Sequence, residues 1–403
     1  MSQLLEGIKV IDCASFIAGP AAATVMADFG ADVIKVEPPG IGDTYRNTRG
    51  AAGNPPCEVN YAWILDNRSK RSIELDLKNP AGREALYRLA AASDVFITNT
   101  PLPARARLGT RYEDLAAVNP RLIYASLTAY GETGPEAGHA GFDSTALWAR
   151  SSLMDMVRPY PEAPPARSLP GMGDHPTAIS LFAAIMAGLY RRERTGAGTC
   201  VHTSLLANGV WWQGIQAQAM LSGAEFQRRP PREEAATALH NLYETRDKRW
   251  FHLVLIPEER HWDGLVEAIG RPEIGSDPRF ATRQTRQRNS KALITLLDGA
   301  FAGQDWAYWK ASFERHRLTY GVVGTLRDIP EDPQMLAADV LTPIDDERAG
   351  ANFVVNSPLW VADAPKRKPA LAPALGEHTE SILREAGYDA AAIKALREAG
   401  AIP

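Results

Sequence analysis

The feature that most constrains this chain is an alternation of short apolar strands and helical segments in its N-terminal third. IKVID and ADVIKVE are short β-branched runs, and the small-residue segment AGPAAATVMADFG between them is typical of a helix. DVFITN and RLIYASLTAYG continue the pattern, each after a further helical segment. Strands of this composition are typical of parallel sheets buried on both faces. The alternation therefore predicts an α/β fold with a large, doubly wound, Rossmann-like domain.

Composition changes twice further along, at QRRPPREEAA and near DIPEDPQM, where charge and proline replace apolar periodicity. The intervening segment contains WFHLVLI and several amphipathic helical stretches, which predict a smaller α+β domain. We predict a large domain from residues 1–225 and 331–403, a small domain from residues 232–325, and crossing linkers at residues 226–231 and 326–330.

Charge and cysteine content narrow the classes of function. The formal net charge is -4 and the pI is about 6.1, so no general basic field exists to attract nucleic acid or an anionic membrane. Apolar runs are shorter than the roughly 20 residues of a membrane span, and the N-terminus lacks the pattern of a signal peptide. Cys13, Cys57 and Cys200 are scattered and odd in number, which suits a reducing compartment. We expect a cytoplasmic protein that binds neither nucleic acid nor membrane.

Several familiar site motifs are missing from the sequence. GMGDHP follows a proline-rich loop and has Pro176 in place of the third glycine, so it is a poor dinucleotide fingerprint. No Walker A sequence, no GxSxG elbow and no HExxH or HxH pattern occurs. We therefore expect no metal site.

Asp174 stands out because it lies between Gly173 and His175, before a helix predicted to start near Thr177. One interpretation is an aspartate that caps the helix, which is a common use of this residue. The other is a reactive carboxylate whose glycine neighbours let backbone amides approach and whose helix N-terminus stabilises negative charge. The local sequence by itself favours the cap.

Two basic segments, SKRSIELDLK (Ser69–Lys78) and PARARLG (Pro103–Gly109), could hold phosphates. A solvated, charged edge is the alternative, and the spacing of the residues favours it.

Taken together, these segments resemble the class III CoA-transferase family of the CaiB/BaiF type, which also contains α-methylacyl-CoA racemases. The resemblance runs through nearly the whole chain, in order, through LLEGIKVID, KRSIELDLK, NPRLIYASLTAYGETGP, GFD, GMGDH, RRERTGAGTCVHTSLL and GEHTESILREAGY. The segments FDSTALWAR and PGMGDH are most similar to the phenyllactate/cinnamoyl-CoA branch.

The resemblance implies both an architecture and an activity. Both chain ends would form the large domain, the middle of the chain would form the small one, and two protomers would interlock as a homodimer. The enzyme would move CoA from an acyl-CoA to a free carboxylic acid through mixed anhydride and aspartyl-CoA thioester intermediates. Coenzyme A would enter as a thioester substrate, with no permanently bound cofactor.

Residue by residue, the resemblance assigns the nucleophile to Asp174. It places CoA contacts at Phe16, Ile17, Ala18, Leu75, Lys78, Asn99, Arg107, Ala140 and Asp143. The formyl-CoA branch has glutamine where Ile17 stands and arginine where Pro38 stands, and its glycine-rich covering loop is not visible here. Shielding of the intermediate and anchoring of the adenosine phosphate must therefore differ from that branch.

Three alternatives remain open. A racemase needs a base on each face of the α-carbon, and its Gly-His-Asp tripeptide is here Gly141-Phe142-Asp143. Phenylalanine cannot accept a proton, although His175 or His139 could substitute. An intramolecular CoA transferase acting on one dicarboxylic acid would use the same aspartate. A non-catalytic CoA-binding protein is disfavoured by the presence of Asp174.

Overall fold

A six-stranded parallel sheet forms the centre of the computed structural model, which describes residues 3–50 and 54–403. Its strands, in chain order, are β1 (Lys9–Asp12), β2 (Asp32–Glu37), β3 (Arg71–Glu74), β4 (Val95–Thr98), β5 (Ile123–Thr128) and β6 (Thr199–Ser204). They are arranged in the order β3-β2-β1-β4-β5-β6, and every neighbouring pair is parallel. The predicted doubly wound α/β sheet is confirmed.

The helices of this part of the chain connect the strands and flank the sheet. They are α1 (Ala18–Asp28), α2 (Tyr61–Asn67), α3 (Pro80–Ala91), α4 (Leu102–Leu108), α5 (Tyr112–Ala116), α6 (Leu153–Met156), α7 (Asp174–Thr195), α8 (Leu205–Trp212) and α9 (Gly214–Leu221). A π-helical turn at Asp143–Ala149 was not predicted. The helix predicted from ANGVWWQGIQAQAML divides at Gln213 into α8 and α9.

Successive residues of each strand enter opposite faces of the sheet, so the chain builds one apolar core on each face. Val10 packs with α1 and α7, whereas its neighbour Ile11 packs with α3 and the C-terminal helices. Helix α1 is buried along its whole length, which explains its small residues. Both cores contain large fully buried side chains, including Phe29 on one face and Phe96 on the other.

Contacts divide the chain into two compact units. The first comprises Met1–Asp155, Ala166–Ala224 and Pro333–Pro403, and the second comprises Met156–Pro165 and Glu225–Asp332. The inclusion of residues 156–165 in the second unit was not foreseen from the sequence.

The second unit has an antiparallel sheet and five helices around an aromatic core. Its elements are β7 (His240–Glu244), β8 (Trp250–Val254), α10 (Glu258–Ala268), α11 (Pro272–Ser276), α12 (Arg283–Arg288), α13 (Ser290–Phe301), α14 (Trp306–Arg315) and β9 (Tyr320–Val322). The rings of Phe251 and Phe301 meet edge to face with centroids 5.0 Å apart.

The C-terminal segment returns to the first unit. It contains α15 (Pro333–Ala337), β10 (Leu341–Pro343), β11 (Phe353–Val355), α16 (Thr379–Glu385) and α17 (Ala390–Glu398). Leu383 of α16 and Leu396 of α17 belong to the same core as Ile11. The His378 amide donates to the Ser72 carbonyl at 2.9 Å, which fixes this segment beside β3.

A cluster of charged side chains lies beneath the carboxyl ends of β1 and β2. The Asp12 carboxylate is 2.9 Å from Lys70 Nζ and 3.7 Å from Lys35 Nζ, and Lys35 Nζ is 2.9 Å from Asp43. These side chains are at most 2 % exposed. Burial would raise the pKa of Asp12, but the charges of the two lysines hold it below its ordinary value. The four groups therefore neutralise one another inside the protein.

Replacing Lys35 with methionine should lower the free energy of unfolding by about 3–5 kcal/mol, because Asp12 and Asp43 would lose the cation that they share. Denaturant titration at one fixed protein concentration measures the change. Lys9→Met is the matched control, since Lys9 is exposed at the start of β1, and it should change stability by less than about 0.5 kcal/mol. Equal stability of Lys35→Met and wild type would contradict the role given to this cluster.

Candidate active site

The candidate site is a cavity of about 1050 Å³ in the first unit. It lies where the strand order reverses, between β1 and β4, so the loops that follow these strands diverge. In open α/β sheets, ligands bind in the crevice at such a switch point. Residues after β1, β4 and β5 line the cavity, at Ser15–Ala18, Asn99–Leu102 and Leu127–Ala129. The topology of the sheet therefore creates the opening.

The loop after β1 is fixed by hydrogen bonds on both sides. Ser15 N–H donates to Asn99 Oδ1 at 2.8 Å, and Asn99 Nδ2 donates to the Ser15 carbonyl at 2.7 Å. Phe16 N–H donates to Asp43 Oδ1 at 3.1 Å. Phe16 has a positive φ of 63°, a conformation that is uncommon outside glycine. The loop is thus held in one geometry by Asn99 and by the buried charged cluster.

Aromatic side chains form one wall of the cavity. The Phe16 and Phe142 rings meet edge to face with centroids 5.6 Å apart, and the Tyr45 ring lies 6.4 Å from Phe16. Phe142 is 58 % exposed and Phe16 is 38 % exposed. Two large apolar rings at the opening are well placed to exclude water from the cavity.

The GMGD segment forms a tight turn into α7. The Gly173 amide donates to Asp143 Oδ2 at 3.2 Å. A Cβ at position 173 would lie 2.9 Å from Asp143 Cβ and 3.0 Å from a Leu147 methyl, so only glycine fits. Gly173 is the N-cap residue and α7 begins at Asp174, three residues before the predicted start at Thr177.

Asp174 faces the cavity from the first turn of α7. In the described part of the chain its carboxylate makes no hydrogen bond, and the cap position belongs to Gly173. Burial raises the pKa of Asp174 to about 7, the nearby charges of Asp143 and Asp66 add to this rise, and His175 opposes it. A half-buried carboxylate without hydrogen-bond donors is poorly solvated and therefore chemically available.

His175 lies beside Asp174 and pairs with a carboxylate from a distant part of the chain. Its Nε2 atom is 2.9 Å from Asp66 Oδ1, and the Asp66 side chain is only 1 % exposed. Burial opposes a charged ring, but the Asp66 hydrogen bond and charge raise the pKa of His175 above its ordinary value. Sequence reasoning missed Asp66, because nothing in the spacing relates residue 66 to residue 175.

The structure brings together most of the residues expected to contact CoA. Those that line the cavity with Asp174 are Phe16, Ile17, Ala18, Asn99, Ala140 and Asp143. The polar atoms of Asn99 and Asp143 bind the protein backbone, so both side chains also position neighbouring segments.

Three expected contacts lie away from the cavity lining. Leu75 is buried in the core beneath β3, and its amide donates to the Glu37 carbonyl, so its side chain cannot reach a ligand. Lys78 and Arg107 are exposed, one shortly after β3 and one in the last turn of α4.

Metal-ligand clusters and membrane-spanning helices are both absent from the described residues. No group of three or more histidine, cysteine, aspartate or glutamate side chains there could hold a metal ion. No helix in the same residues is both long and apolar enough to cross a membrane.

Comparison with known proteins identifies similar chains. The model of CoA-transferase family III matches residues 5–379. The (R)-2-hydroxy-4-methylpentanoate CoA-transferase of Clostridioides difficile is 30 % identical over 390 residues, which is 96 % of each chain. The cinnamoyl-CoA:phenyllactate CoA-transferase of Clostridium sporogenes is 30 % identical over 400 residues, covering 98 % of this chain and 97 % of that one. The succinyl-CoA:glutarate CoA-transferase of Mus musculus is 31 % identical and covers 99 % and 90 %.

A solved structure has the same architecture. The crystal structure of a CaiB/BaiF family protein from Brucella suis superimposes with a TM-score of 0.84 at 29 % sequence identity. The match covers 96 % of this chain and all of the other.

Asp174→Asn should raise the free energy of unfolding at pH 8 by about 1–2 kcal/mol, because a carboxylate that folding desolvates destabilises the native state. The pKa of Asp174 rises on folding from 3.8 to about 7, so the penalty grows across that interval and is complete above it. The gain should therefore disappear below pH 4. Denaturant titrations at pH 4, 6 and 8 measure it.

The control for that measurement is Asp389→Asn. Asp389 caps α17 by accepting from the Ala392 amide at 2.8 Å. Asparagine caps about as well as aspartate, so this variant should keep wild-type stability at each pH. If Asp174→Asn is no more stable than wild type at pH 8, the ionised Asp174 carboxylate does not destabilise the native state.

Proposed function

The chain belongs to CoA-transferase family III, and we propose that it moves coenzyme A from an acyl-CoA donor to a free carboxylic acid through a covalent intermediate on Asp174. One observation carries the proposal. Asp174 is a desolvated carboxylate with no hydrogen bond in the described residues, and it lines a cavity at the switch point of the sheet. Such a group is a better nucleophile than a hydrated aspartate.

In the first half of the reaction, an Asp174 oxygen attacks the thioester carbonyl carbon of the donor. The carbon–sulfur bond breaks, CoA leaves as a thiolate, and Asp174 becomes one half of a mixed anhydride. The thiolate then attacks the Asp174 carbonyl carbon. The donor acid leaves as a carboxylate, and CoA is now bound to Asp174 as a thioester.

In the second half, the acceptor carboxylate attacks the aspartyl thioester and releases the thiolate, which gives a new mixed anhydride. The thiolate attacks the acceptor's carbonyl carbon and frees Asp174 as a carboxylate. One thioester is exchanged for another, so the sequence of steps needs neither ATP nor a metal ion. Each attack forms an oxyanion, and the N-terminus of α7 lies where it can stabilise negative charge.

The cavity suits the reactive end of CoA. We place the thioester against the loop Phe16–Ala18 and Ala140, within the aromatic wall. The nucleotide end would extend along the carboxyl edge of the sheet towards Lys78 and Arg107. Their side chains are exposed and make no hydrogen bond or ion pair with the described residues. A diphosphate and a ribose phosphate are natural partners for two unpaired cations.

We also propose that two copies of the chain form an interlocked homodimer. Helix α9 buries none of its residues and exposes Ile215 (83 %) and Leu221 (82 %), and Trp211 near the end of α8 is 81 % exposed. Contiguous apolar surface of this kind is typical of protein interfaces. The chain leaves the first unit after Ala224 and re-enters it at Pro333, an arrangement that permits two copies to encircle each other.

Light scattering should give twice the chain mass of 43.9 kDa, and dilution to nanomolar concentration should not yield active monomer, because linked chains separate only on unfolding. Ile215→Arg should reduce the yield of folded dimer, whereas Tyr190→Arg, on an exposed position of α7, should not. A stable and active monomer would contradict this arrangement.

Incubation with acyl-CoA alone should leave CoA attached to Asp174, and hydroxylamine should convert that side chain to a hydroxamate. Mass spectrometry should locate the mark in the peptide containing Pro170 to Pro176. Asp174→Asn should lose the mark and reduce transfer at least about 10³-fold, because the covalent route is removed.

Asp389→Asn is the matched control and should keep both the mark and the activity. Donor and acceptor pairs for the assay come from a panel of acyl-CoA thioesters and carboxylic acids. Substantial transfer by Asp174→Asn would exclude Asp174 as the nucleophile.

A further inference from the structure

We propose that Asp66 holds His175 as a fixed imidazolium cation, and that this cation favours the ionised form of Asp174, which attacks the thioester. The inference rests on the proposed nucleophilic role of Asp174 and extends it to two residues that the family resemblance does not assign. His175 and Asp66 act here as positioning residues, since they reach the reaction only through Asp174.

The first support is the rigidity of the acceptor. Asp66 lies in α2, and its backbone carbonyl accepts hydrogen bonds from Lys70 Nζ at 2.8 Å and from Thr24 Oγ1 at 2.5 Å. Lys70 itself is bound to Asp12. The Asp66 carboxylate, 1 % exposed, is therefore fixed to the charged cluster beneath the sheet and can offer His175 Nε2 only one geometry.

The second support is the opposite edge of the imidazole ring. A Cβ on Gly171 would lie 3.3 Å from His175 Nδ1 and 3.2 Å from Cε1, so this edge packs against the Gly171 backbone. Gly171 has a φ of +80°, which glycine adopts without strain. The Gly171 backbone also contributes to raising the pKa of His175. The Asp66 carboxylate at Nε2 and the Gly171 backbone at the opposite edge therefore both favour the ring that carries two protons.

The third support is the charge balance around Asp174. The charges that act on it are the carboxylates of Asp143 and Asp66, which oppose its ionisation, and His175, which favours it. Tyr45 faces the same carboxylates. Burial is the main cause that raises the pKa of the Tyr45 hydroxyl, and the charge of Asp66 is the second, so the hydroxyl stays neutral. Arg167 and His139 line the cavity elsewhere and are not among the charges that act on Asp174. His175 is thus the cation that acts on Asp174 against the carboxylates of Asp143 and Asp66.

This arrangement also bears on the isomerase alternative. A racemase base must accept a proton from the α-carbon. As an imidazolium, His175 carries a proton on each nitrogen and has no lone pair free to accept one. His175 is one of the two histidines that could replace the missing racemase base. As the cation beside Asp174 it cannot act as that base.

The test compares the pH dependence of Asp174 acylation in wild type and in His175→Gln. The rate at which acyl-CoA forms the hydroxylamine-sensitive mark should rise with pH as Asp174 ionises, with a midpoint near its pKa of about 7. Without the cation, that acid limb should move to higher pH by about one unit. The rate at high pH should recover to within about tenfold of wild type. His202→Gln, which changes an exposed histidine of β6 outside the cavity, should leave the profile unmoved.

A second measurement does not depend on activity. NMR titration of the histidine Cε1–H signals should show His175 protonated well above the ordinary histidine range in wild type. In Asp66→Asn its pKa should fall, because the carboxylate that favours the imidazolium is gone. The measurement also covers the case in which His175→Gln fails to fold.

The outcomes separate this inference from the function on which it rests. If wild type forms no adduct at Asp174, the proposed function fails, and the NMR titration still decides whether Asp66 maintains the cation. If wild type forms the adduct but His175→Gln has an unshifted acid limb, the inference is overturned whatever the overall rate. A neutral His175 in wild type at pH 7 overturns it as well.

Discussion

The site depends on a single buried carboxylate, Asp12, which is shared by Lys35 and Lys70. Lys35 also binds Asp43, whose other oxygen receives the amides of Phe16 and Tyr45. Lys70 binds the backbone carbonyl of Asp66. Moving ions out of water costs several kcal/mol each, and only complete pairing offsets that cost. One cluster therefore fixes both the loop after β1 that lines the cavity and the end of α2 whose Asp66 carboxylate contacts His175.

Much of the fold could be predicted from local sequence, because a parallel sheet buried on both faces leaves short apolar strands at regular intervals. The predicted start of α7 near Thr177 is three residues too late, because the helix begins at Asp174. Proline is tolerated in a first helical turn, where its missing N–H has no partner to lose, and the helix includes it. The segment predicted as one long helix divides at Gln213 into α8 and α9, although residue 213 itself is neither glycine nor proline.

The candidate site was predictable where one short segment carries the chemistry and not where distant segments meet. Asp174 could be found from the GMGDH segment and its family resemblance. The pairing of Asp66 with His175, and that of Asp12 with Lys70, exist only after the sheet has formed. The side chain of Leu75, an expected CoA contact, lies away from the cavity for a different reason. Strand alternation places the Leu75 side chain in the core, while the residues near it remain at the edge of the sheet.

Because the cavity lies at the reversal of strand order, the residues that line it can change in evolution largely independently of the core. Its walls come from connecting loops, from α2 and from the first turn of α7, whereas the strands contribute only their ends. Substitutions at Phe142, Tyr61 or Leu169 can therefore reshape the cavity without repacking either core, and stability and specificity can change separately. One scaffold can in this way acquire new substrate preferences over evolutionary time while Asp174 and the charged cluster stay in place.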